Sequence, residues 1–333
     1  MLPPFEVSVK PGLAQVSIII PAFNEEDNIP RLERDLLAAI EGQPYNFEFL
    51  VVDNDSTDRT GELVKDICKR DSRWKYLKFS RNFTVEMSIT AGYHFASGEA
   101  MIVLYSDLQD PPDVIPRFLE KWREGYDVVY GVRTYRPGDP KWRNFLAGLT
   151  YKVIAWSANV EIPINTGDYR LISRRVRDAL EQCGEYNRYM RGLIAWLGFR
   201  QIGIEYKRKP RVAGESKAPF WDLVIFTFSA ITSFSLKPLR LFTFMGFLIL
   251  ASSLLAAAGY IILALIGKPP EGIPTIVVLL LFAIGLNSLG IGVLGEYLGR
   301  TYAETKRRPL YIVQDSVNVP SRAVLDRDLE RFL

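Results

Sequence analysis

MIVLYSDLQDPP, residues 101–112, is the stretch on which the reading of this chain turns. Met101, Ile102, Val103 and Leu104 form an apolar run of the kind buried in a parallel sheet. The run stops abruptly at Ser106, Asp107, Gln109 and Asp110, and two prolines follow. A buried strand that delivers carboxylate and amide oxygens at its carboxyl end is how open α/β sheets present a ligand site. Such oxygens suit a hard divalent cation, and such a cation can neutralise a diphosphate. The alternative is a strand followed by a solvated acidic turn.

The flanking sequence argues against that alternative. Residues 16–20 are a β-branched run, and 25–41 carry Ile29, Leu32, Leu36, Leu37 and Ile40 close to helical spacing. A strand over 47–52, a helix start at 56–58 and a helix over 61–70 come next. The pattern continues with a strand at 76–79, a helix over 85–96 ended by Gly98, the strand 100–104, a helix over 114–123 and a strand at 128–132. This alternation predicts an α/β fold, a mostly parallel sheet with helices on both faces. The first strand runs into Pro21, Phe23, Asn24, Glu25 and Glu26, and the second into Asp53, Asn54 and Asp55. Three strands ending in carboxylates at one sheet edge point to a binding crevice. No GxGxxG follows the first strand and no GxxxxGK[ST] occurs anywhere, which removes the best support for dinucleotide oxidoreductases and P-loop enzymes.

Length and composition set further bounds. A chain of 333 residues suggests about two units. A net charge of +3 is too small for a nucleic-acid footprint. Cys68 and Cys183 cannot build a disulfide framework and sit in no metal-binding motif, so a reducing compartment is expected. The first fifteen residues do not read as a secretory signal. His94, the only histidine, falls in a helical pattern and speaks against a histidine-based site.

Residues 241–266 run without a charge, as do 273–294, and each stretch exceeds the roughly 20 residues a helix needs to cross a bilayer. The polar connector 267–272, GKPPEG, makes them a hairpin. Lys237 and Arg240 precede the pair, and Arg300, Lys306, Arg307 and Arg308 follow it, so both termini are expected in the cytoplasm. Ahead of the hairpin, the aromatic-rich stretch 220–236 reads as an interfacial helix anchored by Trp221, with a core helix as the alternative. Four segments are therefore expected: a cytoplasmic α/β domain (1–215), a juxtamembrane helix (216–239), two transmembrane helices (240–299) and a cytoplasmic tail (300–333).

In sequence order, PAFNEEDNI (21–29), VVDNDSTDRT (51–60), YSDLQDPP (105–112), GDYRL (167–171) and GESK (214–217) resemble the motifs of the inverting family-2 glycosyltransferases, whose fold is called GT-A. With the two spans, GEYLGR (295–300) and KRRPLY (306–311), the chain looks like the polyisoprenyl-phosphate glycosyltransferases. These are relatives of dolichyl-phosphate mannose synthase and of bacterial enzymes that load sugar onto undecaprenyl phosphate. The resemblance runs from about Val16 to Tyr311.

The resemblance implies roles residue by residue. Pro21, Phe23, Glu25, Asp53, Asp55 and Ser106 would bind the nucleotide sugar, joined by Arg211, Ser216 and Lys217 on a basic segment over the phosphates. Asp107 and Gln109 would hold Mg²⁺ or Mn²⁺. Asp168 stands at the catalytic carboxylate position, as base or as orienter of the acceptor. Arg133 and Arg143 are candidates for the acceptor phosphate, Arg143 lying in an amphipathic stretch, 141–157, that reads as core packing or membrane docking. Tyr105 replaces the first carboxylate of the family's DxD motif, with Asp110 as an assisting carboxylate, and 82–86 departs from the glycine-containing sequence common there.

The implied reaction is displacement at the anomeric carbon by a polyisoprenyl phosphate, with UDP-glucose the expected donor and undecaprenyl phosphate the expected acceptor. Mannose, galactose or an aminosugar on the same mechanism is the alternative. A processive polysaccharide synthase is a rival, but the QxxRW motif it would carry is missing. A non-catalytic membrane partner would not need three acidic strand ends. Strand character in 308–313, in a family where such tails can pack on a neighbouring subunit, suggests a homo-oligomer.

Overall fold

The computed structural model describes residues 14–135, 166–208, 237–266 and 272–319, which fall into two compact units. The first is built on eight strands: β1 (Gln15–Ala22), β2 (Asn46–Asp53), β3 (Trp74–Phe79), β4 (Ala100–Val103), β5 (Val128–Tyr135), β6 (Thr166–Ser173), β7 (Gln201–Lys207) and β8 (Val313–Val317). Between them run α1 (Ile29–Ile40), α2 (Thr60–Arg70), α3 (Val85–Phe95), α4 (Ile115–Arg123), α5 (Arg174–Glu181) and α6 (Met190–Trp196). The second unit is two long helices, α7 (Lys237–Leu265) and α8 (Ile273–Thr305).

One sheet holds all eight strands in the order β7-β5-β6-β4-β1-β2-β3-β8. β1 pairs in parallel with β2 and β4, β2 with β3, and β5 with β7. β6 runs antiparallel to β4 and β5, and β8 antiparallel to β3. The sheet is therefore mixed, and the mostly parallel expectation holds for its β4-β1-β2-β3 core. Strand–helix alternation reveals only crossover connections, so the antiparallel additions are invisible to it.

Registers set the ends of β1 and β2 level, with Ala22 beside Asp53, while β4 ends at Val103 beside Ile19 and its loop continues along the same edge. The apolar stripes of α1 (Ile29, Leu32, Leu36, Ile40), α2 (Val64, Ile67) and α4 (Ile115, Phe118, Leu119, Trp122) pack in one core with Val16, Ile18, Phe49 and Ile102. A second core gathers Leu50, Val52, Leu77, Phe79 and Ala91 of α3. A Cβ at Gly92 would overlap the Ile19 side chain, so this glycine is what lets α3 lie close on β1.

The amino edge of the sheet is stitched by one buried carboxylate. Glu48 accepts hydrogen bonds from Lys75 Nζ (2.5 Å), the Ser97 N–H (2.7 Å) and hydroxyl (2.6 Å), Gln15 Nε2 (3.0 Å) and the Ser17 hydroxyl. Burial alone would raise its pKa, but these donors hold it below the usual range. A depressed acid stabilises the fold above its unfolded pKa and loses that contribution as pH falls through the folded value. Lys75→Met, which leaves the carboxylate buried without its cation, is expected to cost about 3 kcal/mol and to flatten the acid limb of thermal unfolding. An unchanged acid limb would remove Glu48 from this role.

The tail supplies β8. Val317 lies opposite Tyr76 and Asp315 opposite Lys78, Tyr311 stacks on Phe79 with ring centroids 5.2 Å apart, and Lys65 reaches Asp315 at 2.5 Å. The strand character of the tail thus lies slightly later than 308–313 and is taken up by the chain's own sheet.

At 1.5 Å per residue, α7 with 29 residues and α8 with 33 are about 44 and 50 Å long, longer than a bilayer's hydrocarbon core of about 30 Å. Their apolar side chains, among them Leu248, Leu255, Leu280 and Ile291, are exposed as lipid-facing residues would be. α8 continues past the expected end at 294, and its polar final turns carry the Glu296–Arg300 pair at 3.1 Å. Arg143, Arg211, Ser216, Lys217, the stretches 141–157 and 220–236 and most of the connector lie outside the described residues.

Candidate active site

Loops after β1 to β4 build the carboxyl edge, and their backbone is strained. Asn24 (φ +55°), Asp55 (φ +68°), Thr84 (φ +95°) and Leu108 (φ +54°) are four of the six non-glycine residues with positive φ among those described. Strain of this kind persists where surrounding contacts over-determine it, and it gathers at functional sites. Here the first two loops are zipped together. The Asn24 N–H donates to Ser56 Oγ (3.0 Å), the Glu25 N–H to Thr60 Oγ1 (2.8 Å) and the Thr57 N–H to Asn24 Oδ1 (2.9 Å).

Thr84 is the extreme case, since φ +95° with ψ 159° is a region essentially reserved for glycine. It falls in the segment that departs from the glycine-containing family sequence. Thr84→Gly is expected to stabilise the protein by about 1 kcal/mol, the relief of strain less the entropy glycine adds to the unfolded chain. Thermal unfolding reads this directly, and a lower midpoint would contradict the strain.

A cleft of about 140 Å³ opens at this edge, lined by Pro21, Ala22, Phe23, Glu25, Asn54, Val85, Ser88, Tyr105, Ser106 and Asp107. Five of the residues expected to bind substrate or metal, Pro21, Phe23, Glu25, Ser106 and Asp107, therefore meet here. Phe23 is 45% exposed, an aromatic face left open at the rim. Ser106 is buried and donates to the Pro21 carbonyl at 3.1 Å, locking the β4 loop to the end of β1. Asp53 is buried behind the cleft, its two oxygens taking the Ser56 N–H (2.8 Å) and the Tyr76 hydroxyl (2.6 Å). Its neighbour Asn54 is the one that faces the cleft, held by the Phe83 N–H (2.8 Å) and Asn82 (3.0 Å). Asp55 lies 3.7 Å from Lys78.

Asp168, on β6, reaches the cleft wall through Tyr105. The Tyr105 hydroxyl donates to Asp168 Oδ2 at 2.9 Å, and Arg191 of α6 clamps both carboxylate oxygens at 2.8 and 2.6 Å. Burial by itself would raise the Asp168 pKa, but the Arg191 guanidinium, with Arg170 and the Tyr105 hydroxyl, holds it well below the usual carboxylate range. The carboxylate is ionised throughout the neutral range and three donors occupy its oxygens. Such a group orients and balances charge better than it abstracts a proton. Tyr105, which reads in sequence as a lost carboxylate, is instead its tether.

Arg133 and Asp110 form the neighbouring cluster. Asp110 is fully buried, accepts a hydrogen bond from Tyr206 and faces Arg133 at 3.5 Å and Arg208 at 3.4 Å. Its oxygens are engaged by these three partners. The Arg133 guanidinium lies close over Gly167, where a Cβ would push it aside. Two arginines sharing one carboxylate leave an excess of positive charge. Burial and the nearby Arg133 guanidinium lower the Arg208 pKa.

Among the described residues no three His, Cys, Asp or Glu side chains converge as a metal cage. The cleft nevertheless fits a Mg²⁺-type ion, which takes one or two carboxylates and completes its shell with water and substrate phosphates. Asp107 lines the cleft, and its Oδ1 accepts the Gln109 N–H at 3.2 Å, which bends the β4 loop through Leu108.

A sheet of this order with acidic loops at its carboxyl edge is an α/β arrangement that presents a ligand crevice at that edge. The family model for glycosyl transferase family 2 matches residues 17–180. An uncharacterized glycosyltransferase of Synechocystis sp. is 41% identical over 90% of this chain and 95% of its own length. A prophage-derived bactoprenol glucosyl transferase of Shigella flexneri is 39% identical over 91% of this chain and 98% of its own. The crystal structure of glucosyl-3-phosphoglycerate synthase from Mycobacterium tuberculosis with Mn²⁺, UDP-glucose and phosphoglyceric acid is 17% identical over 66% of this chain and 78% of that one, with a TM-score of 0.42. The chain belongs to glycosyl transferase family 2 and is a glycosyltransferase.

Arg191, which clamps Asp168, and Asn54, which lines the cleft, are residues that motif reading passes over. Arg191 sits in an unremarkable helical run far from the motif it serves. Asn54 is masked by the acidic neighbours on either side of it.

Proposed function

We propose that this protein transfers glucose from UDP-glucose to a polyisoprenyl phosphate, with undecaprenyl phosphate as the natural acceptor, at the cytoplasmic face of a bacterial plasma membrane. The observation that carries the proposal is a cleft at the carboxyl edge of the sheet, lined by Asp107, whose wall residue Tyr105 is bonded to the clamped Asp168. It is supported by likeness to the Shigella bactoprenol glucosyl transferase over nearly the whole chain, apolar helices included.

In this reading Phe23 and Pro21 pack on the base, and Asn54 offers its amide to the nucleoside. Asp107, assisted by Gln109, would hold Mg²⁺ or Mn²⁺ against the diphosphate. When bound, the cation supplies Lewis-acid stabilisation to the departing nucleoside diphosphate. Arg133, Arg143, Arg211, Ser216 and Lys217 are assigned to the phosphates. The acceptor phosphate attacks the anomeric carbon from the face opposite the diphosphate, so an α-linked donor yields a β-linked lipid phosphosugar. A phosphate monoester, with a second pKa of about 6, is already largely ionised at neutral pH and needs no strong base. Asp168 accordingly orients the acceptor and fixes Arg191.

Chain order supports the proposed membrane topology. β8 comes after both apolar helices, yet it pairs with β3 inside the same unit as β1 to β7. In this reading the two flanks of the helices share one side and the helices cross as a pair. Cations at Lys237, Arg240, Arg300 and 306–308 mark that side as cytoplasmic. The proposed segments remain the domain 1–215, helix 216–239, hairpin 240–299 and tail 300–333.

The test mixes the full-length protein with Mn²⁺ or Mg²⁺, a short-chain prenyl phosphate and a panel of labelled nucleotide sugars. A lipid-extractable glucosyl product is expected. Product from a different sugar alone would replace the donor, and no product from any donor would overturn the assignment.

A further inference from the structure

Beside the site lies a buried carboxyl group that the mechanism above leaves unused. Glu86, in the first turn of α3, is flanked by the cleft residues Val85 and Ser88. It accepts a hydrogen bond from the backbone N–H of Met190, the residue before Arg191. Its other oxygen, Oε2, is buried and has no hydrogen-bond partner among the described residues. A buried carboxylate with an unserved oxygen is costly, whereas a neutral carboxylic acid tolerates it far better.

We propose that Glu86 is a positioning residue of the transfer site, a carboxyl group that works in its protonated form and keeps Arg191 seated on Asp168. The inference rests on the function proposed above. The groups facing Glu86 are Asp168 and Arg170 of β6, Arg191 of α6, Tyr105 beyond β4 and Tyr93 of its own helix. Burial first and the Asp168 charge second push its pKa up to about 8, against the opposing pull of Arg191, the Met190 N–H and Arg170. Protonated, Glu86 anchors the start of α6 without competing for the guanidinium. Ionised, it becomes a second anion beside Asp168, bids for Arg191 and loosens the two-bond clamp on the carboxylate that orients the acceptor.

The expected result is an alkaline limb that belongs to Glu86. Wild-type kcat/KM should fall about tenfold per pH unit above about pH 8, while Glu86→Gln, which mimics the protonated form, should change less than about twofold over the same range. Glu86→Ala, without the Met190 bond, should lose at least about tenfold at neutral pH, and Gln should rescue most of that loss. A Gln variant that keeps the wild-type alkaline limb, or one that folds but loses activity equally at every pH, would overturn the proposal. A second readout needs no substrate. Infrared spectra of the wild-type membrane protein should show a protonated carboxyl band at neutral pH that bleaches above about pH 8 and is missing from Glu86→Gln. Absence of that band from the wild type sinks the inference even if transfer is found. Its presence with no transfer from any donor sinks the functional reading alone.

Discussion

Asp168→Asn is expected to lower transfer by about a thousandfold while donor affinity stays within a few-fold of wild type. The side chain keeps its shape, but the replacement turns one acceptor oxygen into a donor that faces Arg191 and Tyr105. The Arg191 guanidinium loses its counter-charge in a site where Asp168 is only 4% exposed. Removing one partner of such a buried pair costs about 3–5 kcal/mol, so a lower unfolding temperature should accompany the lost activity. The wild-type pair also predicts a pH effect. Because the folded Asp168 pKa is depressed, its stabilisation is present above the unfolded carboxylate value and is lost as pH falls through the folded one. Turnover by a single-cycle assay and donor binding by calorimetry separate the two effects. Wild-type turnover in the Asn variant would take Asp168 out of the mechanism.

Asp107→Ala should abolish donor binding rather than turnover alone. Tyr105 has already replaced one carboxylate of the usual pair, and Asp110 is committed to Arg133, Arg208 and Tyr206. On the proposed reading Asp107 would be the principal carboxylate to hold a cation at this cleft, which Glu25 also lines. Loss of about a thousandfold in kcat/KM is expected, together with loss of the Mn²⁺-dependent increment in nucleotide affinity measured by calorimetry. An Ala variant that still gains nucleotide affinity from Mn²⁺ would move the metal elsewhere.

Much of this architecture is legible in the residues themselves. The apolar runs of β1, β2 and β4 end in Pro21, Asp53 and Leu104, and hydrophobic burial requires those runs to sit side by side. The acidic loops then have only one edge to occupy. Charge-free lengths announce α7 and α8 because helix geometry and bilayer thickness leave little choice. What stayed hidden depends on contacts between distant segments. All eight residues of β6 are buried, yet Asp168, Arg170 and Ser173 make it look like a polar loop motif, because its charges are neutralised by partners elsewhere in the chain. Tyr105 reads as a defect until Asp168 is seen to accept its hydroxyl. Glu86 carries no local signal at all, since its meaning comes from the backbone of Met190. Periodicity reports burial by one's own element, whereas ion pairs report it only once the fold is closed.

The pairing of β8 with β3 also dictates an order of events during synthesis. β3 is made early, but the strand that covers its outer margin is translated only after both apolar helices have been completed. For most of the chain's time on the ribosome that margin stays open to foreign strands, a hazard that edge strands carry generally. Closure of the sheet therefore reports that the helices have already been made, and a ribosome stalled before Val313 would leave a nascent enzyme with an adhesive flank.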